Sequence, residues 1–179
     1  MNKKGISLVV PKLSHITEVK NYVNETLEIE NKVSGDGGVS KFTNYEEWLS
    51  FENNMHQKKT TPKHLVHGQT FFLMDNQEII GMINIRYELN DNLLEVGGHI
   101  GYSIRPKYRK LGYGKMQLQL ALEKCREIGL DKVLLTCKNT NLGSKRIIIS
   151  CGGILENEIV VRENVVERYW IKLNNGIQV

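Results

Sequence analysis

A short glycine-containing turn carries the residues of this sequence that are best suited to chemistry. The segment Arg109-Lys-Leu-Gly112-Tyr-Gly114 lies between a strand-like stretch that ends at Pro106 and a helical pattern that begins near Met116. The first amide groups of a helix have no partner within it and lie at the positive end of its dipole, and glycines let a ligand approach the backbone. The turn is flanked by basic residues, namely Lys107, Arg109, Lys110 and Lys115. The pattern therefore predicts a site for a phosphate-bearing ligand.

The spacing of the turn excludes two common phosphate-binding loops. The sequence contains no Gly-x4-Gly-Lys-Ser/Thr segment, and Gln117 stands where a dinucleotide-binding fingerprint has its third glycine. Two glycines alone would also fit a tight turn with a solvated basic face, so the flanking elements matter. His99–Arg105 alternates like a partly buried strand, and Met116–Ile128 has the period of an amphipathic helix that Gly129 would cap.

In this context the turn resembles the signature of a known family. Arg109–Gly114 matches the Arg/Gln-x-x-Gly-x-Gly/Ala motif of the GNAT acyl-CoA N-acetyltransferases, which follows a strand and precedes an amphipathic helix. A second family segment follows at the expected distance, with a strand at Asp131–Cys137 and a helix that opens at Asn141-x-x-Ser144. The resemblance is best over residues 69–173, and on these motifs the sequence is identified as a member of the superfamily.

The resemblance implies an α+β fold. We expect a three-layer α/β/α sandwich with a mixed, mostly antiparallel seven-stranded sheet and about four helices. Residues 1–179 would form one domain, in which residues 1–68 supply helices and a loop on the acceptor side and residues 69–173 bind the acyl-CoA. The central strand and Lys132–Cys137 would run parallel and splay apart, and the pantetheine arm would lie in the gap as a pseudo-strand.

The resemblance also implies which residues contact the cofactor. Amides of the turn would hold the pyrophosphate, and backbone groups of the central strand would bind the pantetheine arm. Asn141 and Ser144 occupy family positions near that arm, although capping of the following helix is the alternative for both. The expected cofactor-binding set is Ile100, Tyr102, Ile104, Arg109, Lys110, Leu111, Gly112, Tyr113, Gly114, Lys115, Asn141 and Ser144.

Acetyl transfer to an amine needs a base, an oxyanion site and a proton for the leaving thiolate. An ammonium group is not nucleophilic, so a base must take its proton directly or through water. His99 lies at the start of the central strand, near where GNAT members often place a base, and Glu95 is the second candidate. A histidine held by the backbone is the alternative for His99. Backbone amides of the same strand would meet the oxyanion.

One position departs from the family pattern. Many members carry a tyrosine seven residues after the motif asparagine, where it protonates the leaving thiolate, but Ile148 occupies that position here. Cys151 lies one helical turn further on, and a thiol is better suited to packing than to this role. Water, a tyrosine from elsewhere, or slow or absent catalysis are the alternatives.

Composition limits the remaining functions. Of 179 residues, 40% are hydrophobic and 25% charged, which is ordinary for a globular domain, and the net charge of +4 comes without a basic stripe that would indicate nucleic acid. No apolar run approaches the roughly 20 residues of a membrane span, and Ile6–Val10 is too short for a signal-peptide core. We therefore expect a cytoplasmic protein without nucleic acid or membrane partners. The cysteines have no metal-ligand spacing and His64-x-x-His67 lacks a third ligand, so no metal is expected.

The sequence thus predicts an enzyme that transfers an acetyl group from acetyl-CoA, its co-substrate, to a primary amine of a small molecule or peptide by direct attack in a ternary complex. The first third of the chain, including the Ser34–Ser40 loop and the second helix, would recognise the acceptor. We interpret Glu46, Glu47 and Glu52 of that helix as a solvated face. A non-catalytic acyl-CoA-binding sensor or partner module is the alternative. The acceptor, the acyl length and the oligomeric state stay open, and exposed strands near the C-terminus could pair in a homodimer.

Overall fold

The computed structural model describes residues 5–173, so the predicted domain of residues 1–179 extends beyond the described residues at both ends. The strands are β1 (Ser7–Val9), β2 (Gly68–Asp75), β3 (Glu78–Arg86), β4 (Ile100–Ile104), β5 (Lys132–Lys138), β6 (Ile154–Val161) and β7 (Asn164–Lys172). The α-helices are α1 (Ile16–Leu27), α2 (Tyr45–Met55), α3 (Asp91–Glu95), α4 (Tyr113–Glu127) and α5 (Leu142–Ser150). Short 3-10 turns lie at Leu13–His15, Val39–Lys41 and Pro106–Tyr108.

The seven strands form two antiparallel sheets, in the orders β1-β2-β3-β4 and β5-β7-β6, rather than the single sheet expected. Where β4 meets β5, the backbone N–H of His99 donates to Leu134 O at 2.8 Å, and no ladder between the two strands continues from there within residues 5–173. The two strands therefore separate beyond this bond, in agreement with the splayed arrangement that the resemblance implies. The cause lies just before β4, where Gly97 (φ 110°) and Gly98 (φ 61°) bend the chain out of the strand conformation. We call this junction of β4 and β5 the seam.

The local elements follow from short-range signals. Asn44 caps α2, because its side-chain oxygen accepts the backbone N–H of Glu46 at 2.8 Å and of Glu47 at 3.4 Å. The helix α3 was not expected, since Asn90–Asn92 predicts only a turn. The side chain of Asn90 accepts the N–H of Leu93 at 3.0 Å and so starts one short helix instead, which brings the α-helices within residues 5–173 to five.

The first sheet is covered on both faces, which confirms the three-layer arrangement. One core cluster joins Phe71, Ile83, Ile85 and Ile100 of this sheet to Leu118, Ala121 and Leu122 of α4, to Ile148 of α5 and to Val133, Leu135 and Tyr169 of the second sheet. On the opposite face, Phe72 and Met82 pack against Tyr22 of α1 and Trp48 of α2, all fully buried. Over the described part of the chain, no helix has the length and apolar character that a bilayer crossing requires.

Candidate active site

The predicted turn lies at the N-terminus of α4, and its two glycines are needed for different reasons. Gly112 caps the helix in a left-handed conformation, with φ 85°, and is exposed. A Cβ at Gly114 would lie 2.5 Å from Ile147 Cδ1, so this glycine allows α4 and α5 to pack closely. The first amides of α4 lack partners within the helix and lie at the positive end of its dipole. The turn therefore has the geometry of an anion site.

Arg109 holds the turn in place. Its Nε donates to Ile104 O at 2.9 Å, and its guanidinium pairs with Glu30 at 2.7 Å, so it ties the turn to β4 and to the chain after α1. Of the other predicted residues here, Lys110, Leu111 and Lys115 are exposed and Tyr113 is buried. Two lysines thus remain at the surface beside the amides of the turn.

The outer edge of β4 directs backbone groups into the seam. The N–H of Arg105 donates to Ile80 O at 2.8 Å, and the N–H of Arg86 donates to His99 O at 2.7 Å, which places the odd-numbered residues of β4 in hydrogen-bonded pairs with β3. Because backbone groups alternate in direction along a strand, those of Ile100, Tyr102 and Ile104 face the opposite edge. These are the three residues predicted to pair with the pantetheine arm.

The side chain of Tyr102 reaches from β4 to the start of α5. Its hydroxyl lies 3.0 Å from Ser144 Oγ at the start of α5, and burial raises the pKa of this phenol, so it is protonated at neutral pH. Asn141 accepts the backbone N–H of Ser144 at 3.1 Å and so caps α5. Ile148 is fully buried in the core, leaving no polar group at the position where the family pattern has a tyrosine. The sequence indicated Tyr102 only for its backbone, because nothing local shows where a strand side chain ends.

His99 bridges β4 and β5 with both its backbone and its ring. Ring atom Nδ1 accepts the backbone N–H of Leu134 at 2.9 Å, and the ring packs edge-on against Trp170. Burial, reinforced by the nearby cation of Arg86, lowers the pKa of His99 to about 4. The ring is therefore neutral with its proton on Nε2, and its one basic lone pair is occupied. This geometry suits a histidine that links β4 to β5 by hydrogen bonds. The role of His99 as a base stays a prediction.

Glu95, the second predicted base, lies at the exposed end of α3. Its carboxylate makes no hydrogen bond or ion pair with residues 5–173, whereas the ring of His99 accepts the N–H of Leu134. Its role also stays a prediction.

Glu52 is buried, which corrects the interpretation of this part of α2 as a solvated face. Only 5% of Glu52 is exposed, and its carboxyl accepts the backbone N–H of Thr70 at 2.5 Å. Burial raises the pKa of this carboxyl to about 7. The spacing of Tyr45, Trp48 and Glu52 at i, i+3 and i+7 places all three on one helix face, and this signal could have located Glu52.

The loop before α2 lies directly on β4, on the face opposite α4. A Cβ at Gly35 would lie 2.3 Å from Gly101 O, so only a residue without a side chain permits this contact. Beneath the loop, Asn84 donates to Thr70 Oγ1 at 3.1 Å, and a Cβ at Gly37 would collide with the same hydroxyl. Close by, a cavity of about 300 Å³ is lined by Val10, Pro11, Leu49, Glu52, Asn53, His56, Gln57 and Gln69. The segment predicted to recognise the acceptor therefore borders the central strand.

The family model for the acetyltransferase (GNAT) family matches residues 38–152, which is more than half of the chain. The chain belongs to the GNAT family. This confirms the predicted class of acyl-CoA-dependent N-acetyltransferase. A comparison with curated protein sequences gives no significant match. Within residues 5–173, no group of three His, Cys, Asp or Glu side chains is placed to hold a metal ion.

Solved structures of GNAT acetyltransferases share the fold over nearly the whole chain. An acetyltransferase from Salmonella typhimurium that modifies the N-terminal serine of ribosomal protein L7/L12 is 15% identical, with a TM-score of 0.69 over 95% of this chain and 96% of that one. A chimera of the Vibrio cholerae spermidine N-acetyltransferase SpeG and hSSAT is 17% identical, with a TM-score of 0.65 over 95% and 96%. The microcin C7 self-immunity acetyltransferase MccE, in complex with acetyl-CoA and AMP, is 14% identical, with a TM-score of 0.69 over 95% and 93%. At these identities the likeness establishes the fold.

Proposed function

We propose that this GNAT protein transfers an acetyl group from acetyl-CoA to a primary amine of a small molecule or peptide, by direct attack in a ternary complex. The observation that carries the proposal is the position of the outer edge of β4, which pairs with no strand among residues 5–173, beside the turn at the N-terminus of α4. A strand edge and a helix start together match a ligand that has amides along one arm and phosphates at its end.

The residues at the turn and the seam fit acetyl-CoA. Gly112 has no side chain that could cover the N-terminus of α4, where the helix dipole is positive, and Lys110 and Lys115 add positive charge. The outward backbone groups of Ile100 and Tyr102 can continue the ladder toward the pantetheine amides. Bound there, acetyl-CoA supplies the activated acetyl group.

We assign the proton for the leaving thiolate to Tyr102. When the amine attacks, a C–N bond forms, the C–S bond breaks and the sulfur needs a proton. The Tyr102 hydroxyl is protonated, lies at the start of α5 and is oriented by Ser144, whereas Ile148 has no proton to give. The tyrosine would regain its proton from solvent after the product leaves.

His99 and Glu95 are the two candidates for the general base, and one variant of each distinguishes between them. His99→Asn keeps an acceptor for the N–H of Leu134 but removes the imidazole, and Glu95→Gln removes the carboxylate that has no partner in the described part of the chain. Because the lone pair of His99 is occupied, we expect His99→Asn to keep kcat within about fivefold and Glu95→Gln to lower it about 100-fold. A 100-fold loss in His99→Asn alone, in a folded protein, would identify the imidazole as the base.

The function is tested by release of the coenzyme A thiol from acetyl-CoA in the presence of a panel of primary amines, with the acetylated product identified by mass spectrometry. Amine-dependent release is the expected result. Binding of acetyl-CoA without turnover of any amine would instead support the sensor or partner module, which the loss of the family tyrosine at Ile148 favours. Absence of acetyl-CoA binding would rule out both functions.

Homodimer formation is a separate proposal. Strand β6 is an edge of the second sheet, and it leaves Ile154 67% exposed and Val160 75% exposed. Exposed apolar edge strands favour pairing with a second copy. Light scattering over a concentration series would show a dimer, and a monomer at all concentrations would exclude it.

A further inference from the structure

Arg86, the last residue of β3, lies beside the bend that opens the seam. Its Nη1 donates to Gly98 O at 2.9 Å and to Gly97 O at 3.3 Å. Its Nη2 lies 3.6 Å from the position that a Cβ would take on Gly101. The guanidinium therefore borders the central strand between its start and the residue on which the acceptor-side loop lies.

This guanidinium has no counter-charge in the described protein. Between residues 5 and 173, no carboxylate lies within ion-pair distance of Arg86, and its two hydrogen-bond partners are neutral carbonyls. Burial lowers the pKa of Arg86, yet a guanidinium remains charged at any physiological pH. A desolvated cation without a counter-ion is costly, so a site of this kind is best satisfied by an anionic ligand.

The position of Arg86 indicates whether acetyl-CoA or the acceptor carries the anionic group that it would bind. Side chains of cross-strand partners share one face of a sheet, so Asn84 and Gly101 lie on the same face, and Arg86 follows two residues after Asn84. This is the face covered by the loop that contains Gly35, whereas Tyr102 and α4 lie on the other face. The cofactor phosphates are expected at the start of α4, so an anion at Arg86 belongs to the acceptor.

We propose that Arg86 binds a carboxylate of the acceptor, so that the preferred acceptors are primary amines that carry a carboxylate, such as α-amino acids and short peptides. The inference rests on the proposed acetyltransferase function and specifies its substrate class. The planar fork of an arginine matches a carboxylate through two parallel hydrogen bonds. Nη1 is held by the two glycine carbonyls, which orients the rest of the fork toward the acceptor.

The experiment compares matched acceptors that differ only in the carboxylate. Thiol release from acetyl-CoA is measured with amino acids and their amides, with dipeptides and their amides, and with polyamines that have no carboxylate. The proteins are wild type, Arg86→Gln, Arg86→Lys, and Arg126→Gln, which makes the same change of charge at an exposed position of α4.

We expect the acids to be the best acceptors of wild type and of Arg126→Gln. Arg86→Gln should raise the KM of an acid by about 10- to 100-fold, leave kcat nearly unchanged and barely alter the KM of the matched amide. Arg86→Lys should recover part of the lost affinity for the acid, since it keeps the charge but not the fork.

Three results would overturn the inference. One is turnover of polyamines or amides in preference to acids. A second is an equal loss for acid and amide in Arg86→Gln, which would assign Arg86 to the reacting centre or to the bend at Gly97 and Gly98. The third is an absence of thiol release with every amine, which would remove the proposed acetyltransferase function itself and is thereby distinguished from the first two.

Discussion

The two arginines next to β4 differ in their counter-charges. At the C-terminal end of the strand, Arg105 is 3% exposed and pairs with Glu25 at 2.5 Å and with Glu18 and Glu78 at 3.0 Å each. At the N-terminal end, the side chain of Arg86 has two carbonyl partners and no carboxylate partner among residues 5–173. The pKa of Arg105 is raised, chiefly by its hydrogen bond to Glu25, whereas burial lowers that of Arg86. One end of β4 is a completed ion network that stabilises the fold, and the other holds a charge for which the described protein offers no counter-ion.

The stability of two matched variants should separate these roles most strongly. Arg105→Gln leaves Glu18 and Glu25 without their cation, while Glu78 keeps its ion pair with Lys107. It should lower the free energy of unfolding by about 3 kcal/mol, the lower end for buried pairs because the carboxylates are partly exposed. Arg86→Gln removes a charge that has no counter-ion within residues 5–173 and should change the free energy of unfolding by less than about 1 kcal/mol. Urea unfolding followed by circular dichroism measures both. An equal loss in both variants would make Arg86 a structural residue.

Secondary-structure elements can be predicted from this sequence more readily than the side chains that pair with each other. Arg86 and Arg105 show why. Strand β4, the turn and α4 are visible in local patterns, namely the alternation after His99, the two glycines and the helical period. The counter-charges of Arg105 come from Glu18, Glu25 and Glu78, which are distant in sequence and are brought together only by packing.

The parts of the site that could not be predicted are likewise non-local. The seam depends on the approach of Gly98 to Leu134, where a Cβ would lie 2.2 Å from the carbonyl oxygen. The contact of Tyr102 with Ser144 joins a strand to a helix 42 positions later. The proposed pyrophosphate site is a local motif, whereas the proposed acceptor site is assembled from separate elements.

Two buried titratable groups should give opposite pH dependences of stability. The pKa of Glu52 is raised from 4.5 to about 7, so the folded state holds a proton that the unfolded chain has lost, and stability falls as pH rises from 4.5 to 7. The pKa of His99 is lowered from 6.5 to about 4, so stability falls as pH drops from 6.5 to 4. Each effect amounts to about 3 kcal/mol at most.

Single variants should reveal how each group makes the free energy of unfolding depend on pH. Relative to wild type, Glu52→Gln should gain stability as pH rises from 4.5 to 7, and His99→Asn should gain stability as pH drops from 6.5 to 4. Unfolding curves at five pH values measure both differences. A difference that does not vary with pH would show that the group titrates at its ordinary pKa.

Variants of Tyr102 and of its partner Ser144 should change kcat. Tyr102→Phe should lower kcat by about 100-fold, because the thiolate loses its proton donor, while the Kd of acetyl-CoA stays within about threefold. Ser144→Ala removes the hydrogen-bond partner of Tyr102 but keeps the phenol, and should lower kcat by only about fivefold. Steady-state kinetics and calorimetry separate the two quantities. An unchanged kcat in Tyr102→Phe would mean that water protonates the thiolate.

The proposed cofactor site at the start of α4 is tested most directly by measuring the binding of acetyl-CoA. Gly112→Asp and Gly129→Asp place the same charge at left-handed glycines at opposite ends of this helix, with φ 85° and 82°. Calorimetry should show micromolar binding by wild type and by Gly129→Asp, and no binding by a folded Gly112→Asp, because a carboxylate there repels the pyrophosphate. Equal affinity in both variants would contradict a cofactor site at this turn.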